Sequence, residues 1–242
     1  MIPEGAVDIF GDGLGFIRPI HISGTELDIV NAARVSFGGE SNWKVSCTSK
    51  RGGILDDKDV GLIRFLLREK HGTPFEHNFF NFHVKAPIFV VREWQRHRIG
   101  NSFNEMSGRY TELQPDFYVP HKVREQKGKP GNYHFVDTED KELEKWFRDS
   151  LMTESHKNFK YYLKAIDEGV AKEQARMFLP LNIYTEFRWT TNTRSLMNFL
   201  SLRNHSTAQY EIRRYAEEIE KIFAEYFPNV YGAFLEQNRT SP

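Results

Sequence analysis

A run with the composition of a strand, Phe79-Phe80-Asn81-Phe82-His83-Val84-Lys85, is followed within two residues by Pro87 and then by apolar residues at Ile88, Val91 and Trp94. Aromatic and β-branched residues favour the pleated strand surface. Proline holds φ near the helical value and lacks an N–H that the first helical turn leaves unused, so Pro87 suits the first turn of a helix. A chain that passes directly from a strand to a helix folds as a mixture of α and β. That helix carries Arg92 and Arg96, four apart and so on one face.

The remaining pattern alternates in the same way. Gly11-Asp12-Gly13-Leu14-Gly15 lacks the spacing and the preceding strand of a dinucleotide fingerprint, and reads as a turn between two short strands. Residues 25–37 read as a helix with Leu27, Val30 and Ala33 or Arg34 on one face, and residues 38–53 as a mobile loop whose composition permits a lid. Asp56 or Asp57 caps a helix with the stripe Val60, Ile63, Leu66 and Leu67. Residues 115–132 read as a solvated loop. Leu143, Trp146, Phe147 and Leu151, then Phe159, Tyr162, Leu163 and Ile166, form one long amphipathic helix or a pair. Pro180 closes a short helix containing Arg176, residues 183–191 read as a strand, and two helices follow. The last of these buries Ala208, Ile212, Tyr215, Ile219 and Phe223. With no repeat and no low-complexity linker, the 242 residues are expected to form one α+β domain, residues 1–242.

Lys+Arg and Asp+Glu both number 33, so no global field draws the chain to nucleic acid or membrane, and neither is expected as a partner. Anion binding must then be local. The single Cys excludes an internal disulfide framework and fits a reducing compartment. The N-terminus shows no basic leader before an apolar run, and no apolar stretch is long enough to span a bilayer, so a cytoplasmic protein is expected. Most of the 20 Phe and 10 Tyr are expected in the core.

The local anion site announces itself in Arg96-His97-Arg98-Ile99-Gly100-Asn101-Ser102-Phe103-Asn104-Glu105-Met106-Ser107-Gly108-Arg109-Tyr110. Guanidinium forks match phosphate oxygens bidentately, and Gly108 lets backbone approach a ligand. This block reads as a nucleotide-phosphate site. A second block ends in a helix starting near Thr193, where Leu196, Leu200 and Arg203 follow one stripe and Arg194 lies four residues from Asn198. Arg203 is either a desolvated cation needing partners or a cation capping its own helix C-terminus. In His71-Gly72-Thr73-Pro74-Phe75-Glu76-His77, Pro74 breaks the register and no further ligand completes a set, so no metal is expected; His71 either caps a helix end or takes a catalytic role. Cys47 lies in the polar stretch Val45-Ser46-Cys47-Thr48-Ser49, which holds no His or Arg to activate it, and reads as incidental.

Taken together, these blocks resemble the flavin-dependent thymidylate synthases. Arg96-His97-Arg98 with Asn104-Glu105-Met106-Ser107-Gly108-Arg109-Tyr110 is similar to that family's signature. Ala32-Ala33-Arg34-Val35-Ser36-Phe37, residues 71–77, residues 82–90, the segment from Arg176 to Arg203, and Ala208-Gln209 with Glu211-Ile212 follow in the family's order. The resemblance implies a central mixed or antiparallel sheet flanked by helices, and a homotetramer whose active sites are shared between subunits. It implies reductive methylation of dUMP to dTMP, with methylenetetrahydrofolate giving the carbon and FAD, reduced by NADPH, giving the hydride. A hydride added directly to the pyrimidine removes the need for a cysteine nucleophile, in keeping with Cys47.

By position, Glu93, Arg96, Glu105, Ser107, Gly108 and Arg109 would hold dUMP, with Arg176 joining from a neighbouring subunit. Arg203 would contact and polarise the uracil ring, an electrostatic role suited to a desolvated cation. Ser36, Thr73, His97, Arg98, Ile99, Asn104, Glu105, Asn192, Arg194 and Asn198 match flavin-contacting positions. His71 falls near the folate and flavin face, so the catalytic set is Arg203, His71 and Ser107. One departure stands out: eight residues lie between Arg98 and Ser107 where the family has seven. The extra residue, within 99–103, is expected as a bulge in a loop. It motivates a second reading, a pyrimidine hydroxymethylase; a catalytically silent nucleotide-binding homologue is the third.

Overall fold

The computed structural model describes residues 2–46 and 52–242. In chain order its elements are β1 (Val7–Asp8), β2 (Phe16–Ser23), α1 (Glu26–Arg34), β3 (Val45–Ser46), β4 (Gly53–Ile54), α2 (Asp57–Arg68), β5 (Phe79–Pro87), α3 (Ile88–Trp94), β6 (Asn101–Glu105), β7 (Arg124–Lys129), β8 (Asn132–Asp137), α4 (Lys141–Asp167), α5 (Lys172–Ala175), β9 (Tyr184–Asn192), α6 (Thr193–Arg203), α7 (Tyr210–Tyr226) and α8 (Pro228–Glu236). The fold is α+β, built on a five-stranded sheet of order β1-β2-β5-β9-β6. The chain divides into two compact units: Met1–Val84 with Glu93–Asn104 and Phe187–Pro242, and Lys85–Arg92 with Glu105–Glu186.

In the first unit, β1 and β2 are antiparallel, with Val7 opposite Ile17. The Asp8 carboxylate accepts from the N–H groups of Gly11 and Gly13 and so shapes the turn between them. Local signals set the helix starts. The Asp28 carboxylate accepts from the Thr25 N–H and hydroxyl ahead of α1, and Asp56 caps α2 by accepting from Lys58 N–H at 2.9 Å. The core is aromatic. Trp94 at the end of α3, Trp189 on β9 and Phe199 on α6 lie with ring centroids 5.0–5.2 Å apart, Phe82 of β5 stacks on Trp189 at 5.4 Å, and Tyr215 of α7 meets Trp94 edge-on at 5.5 Å. Such pairs add about 0.5–1.5 kcal/mol each beyond the area they bury.

The second unit packs α4 and α5 over a cluster of Leu113, Phe117, Phe159, Tyr162, Ala175 and Ile183. The Tyr162 hydroxyl accepts from Leu113 N–H at 3.1 Å. Buried Asn182 donates to Tyr118 O at 3.0 Å and lies 3.1 Å from the Ser155 hydroxyl.

Several expectations change. Residues 115–132 are not simply loop: Phe117 bridges Ile183, and β7 pairs antiparallel with β8 around Pro130-Gly131, where Gly131 takes φ +86°. Residues 38–53 include β3, which pairs with β4; residues 47–51, with Cys47, lie outside the described residues. The long amphipathic run is one helix, α4, yet Trp146 and Phe147 of its stripe are exposed in the single chain. A third helix, α8, follows α7, and Ala208 precedes α7 instead of lying on it. Pro87 is the last residue of β5, one before α3; α3 ends at Trp94, so Arg96 stands in the turn beyond it and does not share a helical face with Arg92. Among the described residues no helix is long and apolar enough to cross a membrane, and no group of three or more His, Cys, Asp and Glu side chains is placed to hold a metal ion.

Candidate active site

Within the first unit, α6 begins where the Asn192 side chain accepts from Ser195 N–H at 2.8 Å. Leu196 and Leu200 are fully buried, and Phe199 joins the aromatic core, so the stripe carries Arg203 to the edge of that core. There the guanidinium donates from Nε to His97 Nε2 at 2.9 Å, from Nη1 to Glu93 Oε2 at 2.5 Å and from Nη2 to the Glu93 carbonyl at 3.1 Å. Arg203 therefore caps the end of α3 and not of its own helix. Five N–H donors are available to a guanidinium and three are taken, which leaves one on Nη1 and one on Nη2. Its side chain is only 18% exposed.

His97 is buried, and its ring meets Phe199 edge-on at 5.0 Å. Burial, and then the adjacent Arg203 charge, push its pKa down to about 4. The imidazole is therefore neutral at pH 7. Because Nε2 accepts, the proton is assigned to Nδ1.

A second cluster in this unit gathers round Arg194. Its Nη1 donates to Glu76 Oε1 at 2.7 Å and its Nε to Pro242 O at 2.9 Å. The guanidinium carbon lies 2.5 Å from where a Cβ at residue 72 would sit, so Gly72 is required there. Thr73 follows, with an exposed side chain, and Asn198 is exposed on α6. The segment after Arg98 is also pinned to α6. The Ser195 hydroxyl donates to Ile99 O at 2.8 Å, Asn192 N–H to Gly100 O at 3.3 Å, and Gly100 takes φ +66°. β6 begins one residue later, and Trp189 Nε1 donates to Asn101 Oδ1 at 2.8 Å. The extra residue thus lies in a tight turn and a strand, not in a loose loop.

Other expected positions in this unit are more open. Arg96, Arg98, Ile99, Asn104 and Ser36 are exposed. His71 is exposed as well: its N–H donates to Leu66 O and its ring stacks on Phe65 at 5.8 Å. With Lys70 at φ +58° and its N–H on Leu67 O, this is a Schellman-type end to α2, so the capping role of His71 is realised through its backbone.

The second unit holds the other candidates. Glu105, at the end of β6, accepts from the Thr185 hydroxyl at 2.8 Å. The Ser107 carbonyl accepts from the N–H groups of Tyr110 and Thr111, and its hydroxyl accepts from Arg109 N–H at 3.3 Å. Gly108 is buried in this turn, and a Cβ there would lie 3.4 Å from Arg176 Cδ. Within one chain, then, the Arg176 side chain lies beside the Ser107 turn. Glu173 joins the two cations: Arg109 Nε donates to its carboxylate at 3.1 Å and Arg176 Nε to its carbonyl at 3.3 Å. Two guanidinium groups held by one exposed glutamate, Arg109 on its carboxylate and Arg176 on its carbonyl, suit a phosphate dianion, which can take over the donor now facing the carboxylate. The carboxylates of Glu76 and Glu173 are cation partners that the sequence does not signal, since their contacts to Arg194 and Arg109 span 118 and 64 residues.

A family profile described as thymidylate synthase complementing protein matches residues 20–229. The chain is 45% identical over 228 residues to the flavin-dependent thymidylate synthase of Thermosipho melanesiensis, covering 93% of this chain and 92% of that one. To the enzyme of the same name from Thermotoga neapolitana it is 43% identical, with 91% of each chain covered. Among solved structures, a UMP/dUMP methylase from Streptomyces cacaoi bound with 5-Br UMP superposes with a TM-score of 0.80 at 38% identity, covering 93% of this chain and 96% of that one. Its complex with 5-Br dUMP gives a TM-score of 0.81, with 93% and 97% covered.

Proposed function

The chain belongs to the family of flavin-dependent thymidylate synthases, and from that premise we propose that it converts dUMP to dTMP by reductive methylation. Methylenetetrahydrofolate gives the carbon, and NADPH is the reductant. The observation that carries the reading is Arg203: a mostly buried guanidinium, fixed by Glu93 and His97, with two N–H donors that no described residue takes. In this reading those donors meet the carbonyl edge of a pyrimidine and stabilise charge that builds on it. Ser107, Gly108, Arg109 and Arg176 take the nucleotide phosphate, with Glu93, Arg96 and Glu105 completing the dUMP set.

The residues present fit FAD. The cradle over Gly72, where only a missing Cβ admits the Arg194 side chain, sets a cation against the residue that precedes exposed Thr73. Thr73, His97, Arg98, Ile99, Asn104, Glu105, Asn192, Arg194 and Asn198 would hold the cofactor, with Ser36 on its phosphate side. When bound and reduced, FAD supplies the hydride. His71 stands on the folate-facing side. The whole chain acts as one catalytic domain in the cytoplasm and assembles as a homotetramer with shared sites; the exposed apolar side chains of the single chain support that assembly.

The test is mass spectrometry of the nucleotide after incubation with dUMP, methylenetetrahydrofolate, FAD and NADPH. dTMP as the product, lost when FAD or NADPH is omitted, is the expected result. A hydroxymethyl product would support the hydroxymethylase instead, and unchanged dUMP with intact cofactors would support the silent binder. UMP run in parallel establishes whether the ribose 2′-hydroxyl is tolerated.

A further inference from the structure

The Arg203 contacts contain an asymmetry. Glu93 holds two nitrogens of the guanidinium through its carboxylate and carbonyl, and the Nε–H, the third contact that completes its plane, is held among the described residues by His97. An imidazole can accept that bond only while its Nε2 is unprotonated. Nothing in the aromatic wall supplies a substitute acceptor: the ring of Phe199 packs edge-on against His97 at 5.0 Å, and Trp94 contributes its carbonyl to the His97 N–H. The charged groups facing the imidazole are Arg203 from α6 and, across the guanidinium, Glu93 from α3.

We propose that His97 is a positioning residue for Arg203, holding the plane of the guanidinium through a neutral Nδ1–H tautomer whose Nε2 accepts the Nε–H. This rests on the role proposed for Arg203 and adds to it. Protonation of His97 would turn the acceptor into a donor facing a cation, free Nε, and leave the guanidinium hinged on Glu93. The low pKa of His97 keeps that from happening near neutral pH. A misoriented donor loses much of its value to a developing charge, because that value depends on alignment fixed before the reaction.

Two substitutions separate positioning from packing. His97→Phe keeps a ring against Phe199 and removes the acceptor. His97→Gln offers a side-chain oxygen near the place of Nε2 and cannot titrate in this range. With bound FAD followed by its visible absorbance, His97→Phe is expected to lose at least about tenfold in kcat, a barrier change of about 1.4 kcal/mol. KM for dUMP should change much less, and His97→Gln should recover a large part of the loss with the acid limb of its pH–rate profile flattened. Equal losses in both variants, or a His97→Phe enzyme with normal kcat, would overturn the proposal. Should His97→Phe fail to fold, the wild-type tautomer decides: 15N NMR of the imidazole should show Nδ1–H at pH 7, and an Nε2–H tautomer or a cation there sinks the idea. Arg203→Ala keeps the two readings apart. Full turnover in that variant would refute the role of Arg203 itself, whereas a large loss in it beside a normal His97→Phe enzyme would refute only the positioning.

Discussion

Arg109 and Arg203 are both candidates for dUMP, yet their surroundings ask different things of them. Arg203 is largely enclosed and already spends three donors on fixed acceptors, so its contribution is orientation. Arg109 is exposed, pairs with the equally exposed Glu173, and can give that contact up. Exposed ion pairs contribute little, about 0–1 kcal/mol, so exchanging Glu173 for a phosphate costs little. A charge-assisted hydrogen bond to the phosphate contributes about 1.5–3 kcal/mol in return. Arg109→Ala should therefore raise KM for dUMP by about tenfold or more with kcat close to wild type, the pattern of an interaction made equally in ground and transition states. Steady-state kinetics across dUMP concentrations check this. An unchanged KM would remove Arg109 from the phosphate site.

The turn between α3 and β6 carries Arg96, His97, Arg98 and Ile99, so what holds its backbone also holds those candidate side chains. Gly100 takes φ +66°, and a Cβ there would come within 2.3 Å of the Ser195 hydroxyl and 2.5 Å of the Asn192 amide, the groups that start α6. Gly100→Ala combines left-handed strain of about 1–2 kcal/mol with that clash, so a loss of at least about 2 kcal/mol is expected. For a chain of this size that is a fall of about 4–8 °C in Tm, readable by differential scanning calorimetry. A Tm within one degree of wild type would mean that the turn relaxes freely. Legibility in the sequence divided along similar lines. Elements with strong periodicity or a cap, such as α2 behind Asp56 and α6 behind Asn192, could be read directly, because local chemistry decides them. The hairpin of β7 and β8 was masked by its lysines, although Pro130-Gly131 between β-forming residues was a turn signal in view. Buried acids gave no periodic signal at all: Glu26 caps α8 from 203 residues away, and Glu220 gathers Arg239, Asn204 and Tyr231. The motif residues could be named from the chain, but that Arg203 seizes the end of α3 could not, since the contact spans 110 residues.

At the scale of the whole molecule two expectations depend on groups that no single element explains. His97 has a folded pKa of about 4, below its unfolded value of 6.5, so between those values the unfolded chain binds more protons than the folded one. Its contribution to stability is complete above about pH 6.5 and is lost as pH falls through that window toward 4. Urea unfolding at pH 7 and pH 5 should show a smaller fall in midpoint for His97→Gln than for the wild type, and equal falls would mean that His97 is not the group concerned. The second expectation concerns assembly. Phe37 is 92% exposed in the single chain and Val35 74%, side by side with Ser36 between them on one turn of 3-10 helix. A cap residue explains the turn, since Gly38 takes φ +66° and its N–H bonds Val35 O, but among the described residues nothing buries the two side chains. Large apolar groups left open in pairs mark association surfaces more often than they serve a monomer. In a closed homo-oligomer each such pair is repeated once per chain, so a polar replacement is felt at every copy of the contact. Sedimentation velocity on the wild type should therefore give a particle of four chains. The double variant Val35→Asp, Phe37→Asp should give a smaller one while keeping the secondary structure seen by circular dichroism. A wild type that sediments as one chain would refute the assembly, and a double variant that stays tetrameric would show that this turn is not where the chains meet.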